Sequence, residues 1–174
     1  MPTTDPARIA LRQMAATLAY RAAKVLRDAP SDFGHKSFGD ATRQPVRIVA
    51  HMGDLMSWGV SMAGGGKEWK PAGGDDWKTE VERFFVGLAA LDAALAADGE
   101  FKGSIDKLIQ GPLADALTHV GQLAMLRGMA GAPVRPESYA RAAITAGRVG
   151  LDQEAPRAEF DGDASARRRD GPPK

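Results

Sequence analysis

Apolar residues recur every three or four positions in four separate segments of this chain, and this spacing constrains the fold more than any other feature of the sequence. Such a spacing places the side chains on one face of an α-helix, whereas a half-buried strand requires strict alternation, which no segment convincingly shows. Four amphipathic helices can bury their apolar faces together as a four-helix bundle. The sequence therefore predicts an all-α fold.

Start and stop signals set the limits of these helices, since Ser, Thr and Asp favour helix starts and Gly and Pro follow helix ends. The first predicted helix runs from Thr4, as the cap, to about Arg27, and the second from Ala41 or Gln44 to about Met62. The third runs from Asp75 or Asp76 to Asp98-Gly99, and the fourth from Gly111-Pro112 to Gly131. A short helical turn at 104–110 and a short extra C-terminal helix at 136–147 complete one domain, which we place at 1–150. Residues 151–174 contain few large apolar side chains and are predicted to form a flexible tail.

Composition excludes several classes of function. The net charge is +1 and 26% of the residues are charged, so the chain lacks the excess of positive charge that is typical of nucleic-acid-binding proteins. No cysteine is present, so disulfides, thiolate zinc sites and cysteine nucleophiles are excluded. No apolar run has the length of a signal-peptide core or of a membrane span. We expect a cytoplasmic protein that binds neither nucleic acid nor membrane.

Two of the three histidines fall on predicted helices in positions that suggest a shared site. Asp115 and His119 are four residues apart, so they lie on one face of the fourth helix, with Gln122 continuing the stripe. His51 lies on the inward, apolar face of the second helix, whereas His35 falls in a polar loop and is expected to face water. Facing helices of a bundle can supply the ligands of one metal ion. We therefore predict a site formed by His51, Asp115 and His119.

Two imidazole nitrogens and one carboxylate oxygen suit a divalent transition metal such as Zn²⁺, Ni²⁺ or Fe²⁺, with further positions open to water or substrate. The alternative is that structural hydrogen bonds satisfy these polar side chains. Gln122 has two interpretations: it contacts a metal ligand from behind, or it is a partly buried polar residue without a function. Arg127 is expected to be solvated, and no general base or other catalytic residue is identifiable.

The sequence around these positions resembles a known family. The segment Arg-Ile-Val-Ala-His-Met-Gly-Asp-Leu around His51 is followed, after a long gap, by an Asp-x-x-x-His pair, Asp115 and His119, that runs into Gly-Gln-Leu. This arrangement is similar to the DinB-like (YfiT-like) four-helix bundles, a group regarded as metal-dependent, and the resemblance covers roughly residues 4–133. Family members commonly present three histidines. His51 and His119 match the first and third, and Asp115 stands where the second is usual.

The resemblance implies thiol-dependent chemistry. Some relatives, including mycothiol-dependent maleylpyruvate isomerases, use a carboxylate at the second position, which implies that Asp115 is a ligand. Characterised relatives transfer or isomerise with a low-molecular-weight thiol whose pKa the metal lowers. A cysteine-free chain is compatible with this chemistry, because the cosubstrate supplies the sulfur. The alternative function is a non-catalytic bundle that serves interaction or sensing without a metal, and a homodimer is compatible with both functions.

The loop at 63–75 contains five glycines and has low helical propensity. It lacks the Gly-Lys-Ser/Thr ending that would place a lysine and a hydroxyl on a nucleotide, so it is not a phosphate-binding loop. We predict a flexible connector from which Trp69 packs back onto the bundle. A lid over an open site is the alternative.

Overall fold

The computed structural model describes residues 3–153, and the part of the predicted tail at 154–174 lies outside this range. Every regular element within it is helical, which confirms the all-α four-helix bundle. Three-residue 3₁₀ turns lie at Phe33–His35 and Tyr139–Arg141. The α-helices are α1 (Pro6–Leu26), α2 (Pro45–Ala63), α3 (Trp77–Ala96), the short α4 (Ile105–Leu108) and α5 (Ala114–Met129).

The four long helices close around one core. Helices α1 and α2 each pack against both α3 and α5. Along α1, five alanines are almost completely buried, so the neighbouring helices can approach its backbone closely. The largest fully buried side chains come from every long helix and from the loops between them: Leu11, Leu18, Phe33, Met52, Met56, Phe84, Leu88, Leu91, Leu95, Leu108, Leu113 and Leu123.

Aspartates cap two of the helices. The backbone amide of Ala7 donates to Asp5 Oδ1 at 2.9 Å, so Asp5 caps α1 and the prediction of Thr4 as the cap was wrong by one residue. At the start of α3, the Thr79 amide donates to Asp76 Oδ1 at 2.8 Å. The neighbouring Asp75 instead forms an exposed ion pair with Arg47. Each cap satisfies an amide that has no partner within its helix.

The Asp76 cap makes the stability of α3 dependent on pH. Hydrogen bonds from Thr79 lower the pKa of Asp76 from its ordinary value of 3.8. A carboxyl whose pKa is lower in the folded state stabilises the fold above its unfolded pKa, and this contribution is lost as the pH falls through the folded pKa. Asp76→Asn keeps an oxygen acceptor at the cap but removes the titration. We expect the stability difference between the parent and this variant to be constant above about pH 5 and to shrink below about pH 4.

Urea unfolding of the parent and Asp76→Asn across this pH series checks the prediction. A difference that stays constant through the acidic range would contradict the assignment of Asp76 as a titrating cap.

Helix α5 begins later than its sequence signals indicate. The predicted start, Gly111-Pro112, lies inside a π-type segment, Ile109–Leu113, that joins α4 to α5. Gly111 has φ −92° and ψ −106°, outside the helical region, and Pro112 has no amide hydrogen to donate. Together they kink the chain, so α5 starts at Ala114 and Asp115 falls in its first turn. The predicted turn at 104–110 is confirmed as α4.

Of the short C-terminal helix predicted at 136–147, the structure contains a single 3₁₀ turn, Tyr139–Arg141. This segment is attached to α1. The Tyr139 ring packs edge-on against Tyr20, with ring centroids 6.2 Å apart, and Glu137 forms an ion pair with Lys24. Contacts between side chains distant in sequence therefore hold the segment in place, and its own helical propensity contributes little.

Candidate metal centre

Packing of α2 against α5 brings the three predicted ligands together. His51 Nε2 lies 3.3 Å from Asp115 Oδ2, and His119 Nε2 lies 3.3 Å from Asp115 Oδ1. The two imidazole rings are perpendicular, with centroids 4.9 Å apart. One ligand atom from each residue lies within 4.8 Å of the other two. The grouping predicted from helical spacing is thus present, and His35 is exposed outside it, as expected.

The three side chains differ in their access to solvent. That of His119 is 10% exposed, that of His51 is 26% exposed, and that of Asp115 is 45% exposed. His51 is therefore less buried than the prediction of an inward orientation implied. The cluster is open to small molecules on the side of Asp115.

Gln122 determines which nitrogen of His119 can accept. His119 Nδ1 lies 2.8 Å from Gln122 Oε1, one turn further along α5. With the Gln122 carboxamide in this orientation, its oxygen accepts a hydrogen bond from Nδ1–H of His119. In a neutral imidazole this leaves the Nε2 lone pair directed towards Asp115. A hydrogen bond behind a histidine commonly fixes a metal ligand in this way.

The cluster could hold a metal ion at its centre. Nε2 of His119 and Oδ1 of Asp115 lie 3.3 Å apart, and two lone-pair donors at this distance are held together by a cation between them, either a proton or a metal ion. The distance is also long for a charge-assisted hydrogen bond, which is usually about 2.7–2.9 Å. The two histidine nitrogens lie 3.3 Å from different oxygens of the same carboxylate, and one ligand atom from each of the three residues lies within 4.8 Å of the other two. Imidazole nitrogens and carboxylate oxygens are the donors that zinc and similar ions bind. The three residues therefore fit a divalent metal.

Two tryptophans cover one side of the cluster. The ring of Trp69, from the glycine-rich loop, lies 5.6 Å from His51 between centroids, and Trp58 of α2 lies 5.6 Å from Trp69 on its other side. The loop thus packs back through Trp69, as predicted. Because Trp69 contacts a candidate ligand, the loop forms one wall of the site.

Arg83 of α3 anchors the end of this loop. Its guanidinium bridges the carboxylates of Asp54 and Glu80 and donates to the Ala50 carbonyl. The same carboxylates accept from loop amides, Asp54 from that of Ala72 at 2.9 Å and Glu80 from that of Gly74 at 2.6 Å. This network was not predicted from the sequence, although the arginine three positions after Glu80 was a usable signal of an ion pair on one helix face.

The same network explains why a glycine, Gly53, stands in the segment around His51. A Cβ at Gly53 would lie 2.7 Å from Arg83 Cζ, so any side chain at this position would displace the guanidinium. The Gly53-Asp54 pair therefore makes room for Arg83 and binds it. Two of the residues that carry the resemblance serve to position the loop.

Arg127 has a structural function, and the prediction that it is solvated was wrong. It is 7% exposed and donates to the carbonyls of Ala132 at 2.9 Å and Val25 at 2.7 Å. These carbonyls lie at the C-terminal ends of α5 and α1, where backbone acceptors lack partners within the helix. Arg127 thus joins two helix ends.

Comparison of the chain with protein-family models, with curated proteins and with solved structures gives no match. Among the described residues, no helix is both long enough and apolar enough to cross a membrane.

Proposed function

We propose that this chain is a divalent-metal-binding protein in which His51, Asp115 and His119 hold one ion of Zn²⁺, Ni²⁺ or Fe²⁺. The observation that carries the proposal is the convergence of three ligand atoms within 4.8 Å, with the acceptor nitrogen of His119 selected by Gln122. Three protein ligands leave coordination positions for water or substrate, which is typical of catalytic rather than structural zinc sites. The exposure of Asp115 supports access to such a position.

We further propose a thiol-dependent transferase or isomerase of the DinB-like type. The resemblance of the segments around His51 and His119 supports this assignment, as does an open three-ligand site in an all-α bundle. A bound metal would stabilise the thiolate form of a cosubstrate at neutral pH. The chain contributes the ligand set, the Gln122 hydrogen bond that orients His119, and a wall formed by Trp69. A small-molecule substrate would enter on the side of Asp115.

Cobalt substitution tests the metal and thiol parts of the proposal separately. Because the chain contains no cysteine, a sulfur-to-cobalt charge-transfer band must come from an added thiol. We expect Co²⁺ to give d–d absorption with metal-free protein, and 2-mercaptoethanol or glutathione then to add a near-ultraviolet charge-transfer band. His119→Ala should show neither signal, whereas His35→Ala, which alters an exposed histidine outside the cluster, should show both.

Cobalt binding without a charge-transfer band for any thiol would overturn the thiol-dependent function and leave the metal site intact. Spectra of His119→Ala that match those of the parent would overturn both parts.

A further inference from the structure

A cavity of about 450 Å³ lies at the C-terminal end of α2. Trp58 and Met62 supply its apolar surface, and Lys67, Lys102 and Lys107 lie along its edge. The lysines come from the glycine-rich loop, the α3–α4 connection and α4. No acidic side chain lines the cavity.

Close backbone packing forms the walls of the cavity. Gly65 has φ +85°, and a Cβ there would lie 3.2 Å from Lys102 Cβ, so the loop lies directly against the α3–α4 connection. The six-membered ring of Trp58 is held against Gly111, where a Cβ would lie 3.2 Å from Cζ3. Both contacts leave little room for movement. The cavity is therefore already formed in the protein without a ligand.

The charge of the cavity is uncompensated. All three lysines are exposed, and none forms an ion pair with another described residue. Other exposed lysines do form such pairs, Lys36 with Asp32 and Lys70 with Glu68. Ammonium groups around an apolar recess are suited to a ligand with an apolar body and an anionic end.

We propose that this cavity binds a small organic anion, with its carboxylate or phosphate on Lys67, Lys102 and Lys107 and its apolar part on Trp58 and Met62. Two ring contacts connect the lining of the cavity to the metal cluster. Trp58 contacts Trp69, and Trp69 contacts His51. The assignment of this anion as the substrate of the metal site rests on the proposed function, whereas binding of the anion depends on the cavity alone.

Calorimetric titration with two probes tests the inference. Phenyl phosphate and phenylacetate share an aromatic body and differ in their anionic group, so the tighter ligand identifies the preferred chemistry. We expect saturable binding of at least one probe to metal-free protein. Lys102→Gln/Lys107→Gln should weaken it by about tenfold, since two exposed ion pairs are lost. Lys36→Gln/Lys78→Gln makes the same change in charge outside the cavity and should bind like the parent.

The titration distinguishes a specific anion site from its absence. Absence of binding for both probes, or equal affinity in the two double variants, would overturn the cavity assignment. The titration uses metal-free protein, so a chain that never binds metal can still confirm the anion site. Conversely, failure of the probes leaves the cobalt result unaffected.

Discussion

Replacing Lys24 with methionine is expected to lower the free energy of unfolding by about 3–5 kcal/mol, because it leaves a buried carboxylate without its cationic partner. Lys24 Nζ lies 2.9 Å from Glu137 Oε1, and the two side chains are only 2% and 3% exposed. The two groups are not aligned as a hydrogen bond, so the attraction is coulombic. The Tyr20 hydroxyl donates to the other carboxylate oxygen at 3.2 Å.

Two further variants separate loss of the ion pair from loss of packing. Lys24→Met/Glu137→Gln removes both charges and keeps an oxygen acceptor for Tyr20, so it should recover most of the lost stability. Lys36→Met breaks an exposed ion pair and should cost no more than about 1 kcal/mol. Denaturant unfolding measures all three. If Lys24→Met is no more destabilising than Lys36→Met, the buried pair does not hold the C-terminal segment on α1.

Replacing His119 with alanine is expected to abolish stoichiometric metal binding while the helical circular dichroism signal is retained. His119 supplies one of only three ligand atoms, and the lost nitrogen cannot be replaced by its neighbours Asp115 and Gln122 in their present positions. Gln122→Leu should produce a smaller loss, about 10- to 100-fold in affinity, because it removes the hydrogen bond behind the ligand. Gln122 is exposed, so its replacement should leave the fold intact.

Competition with a chelator of known affinity, combined with circular dichroism, measures this series. The expected order of affinity is parent and His35→Ala first, then Gln122→Leu, then His119→Ala. If Gln122→Leu binds as tightly as the parent, the hydrogen bond does not orient His119. If His119→Ala loses its helical signal, His119 is required for the fold.

The spacing of apolar residues along the chain was sufficient to predict the helices, and helical spacing was sufficient to place Asp115 beside His119. The fixed rise and twist of an α-helix place Asp115 and His119 on one face whatever else the chain does. His51 was added on the assumption that α2 faces α5, which holds in the structure. Its partial exposure could not be predicted, because exposure depends on tertiary packing around His51, which the spacing of residues along α2 does not determine.

The features that sequence analysis missed depend on contacts between distant segments. The start of α5 is displaced by the kink at Gly111-Pro112, where Gly111 lies close against Trp58 of α2. Arg127 is buried because the free carbonyls at the end of α1 accept its hydrogen bonds. Arg127 was assigned to solvent on its local sequence, whereas carbonyl acceptors from elsewhere in the chain make its burial favourable.

Metal content is the most direct test of the central claim, that His51, Asp115 and His119 hold a divalent ion. Elemental analysis should be made on protein purified without a metal-affinity tag, before and after loading with Zn²⁺, Ni²⁺ or Fe²⁺ and desalting. We predict about one equivalent of one of these metals per chain, retained in His35→Ala and almost absent from His51→Ala and His119→Ala. A parent protein that remains empty after loading with each metal, or a His119→Ala variant that retains a full equivalent, would contradict the claim.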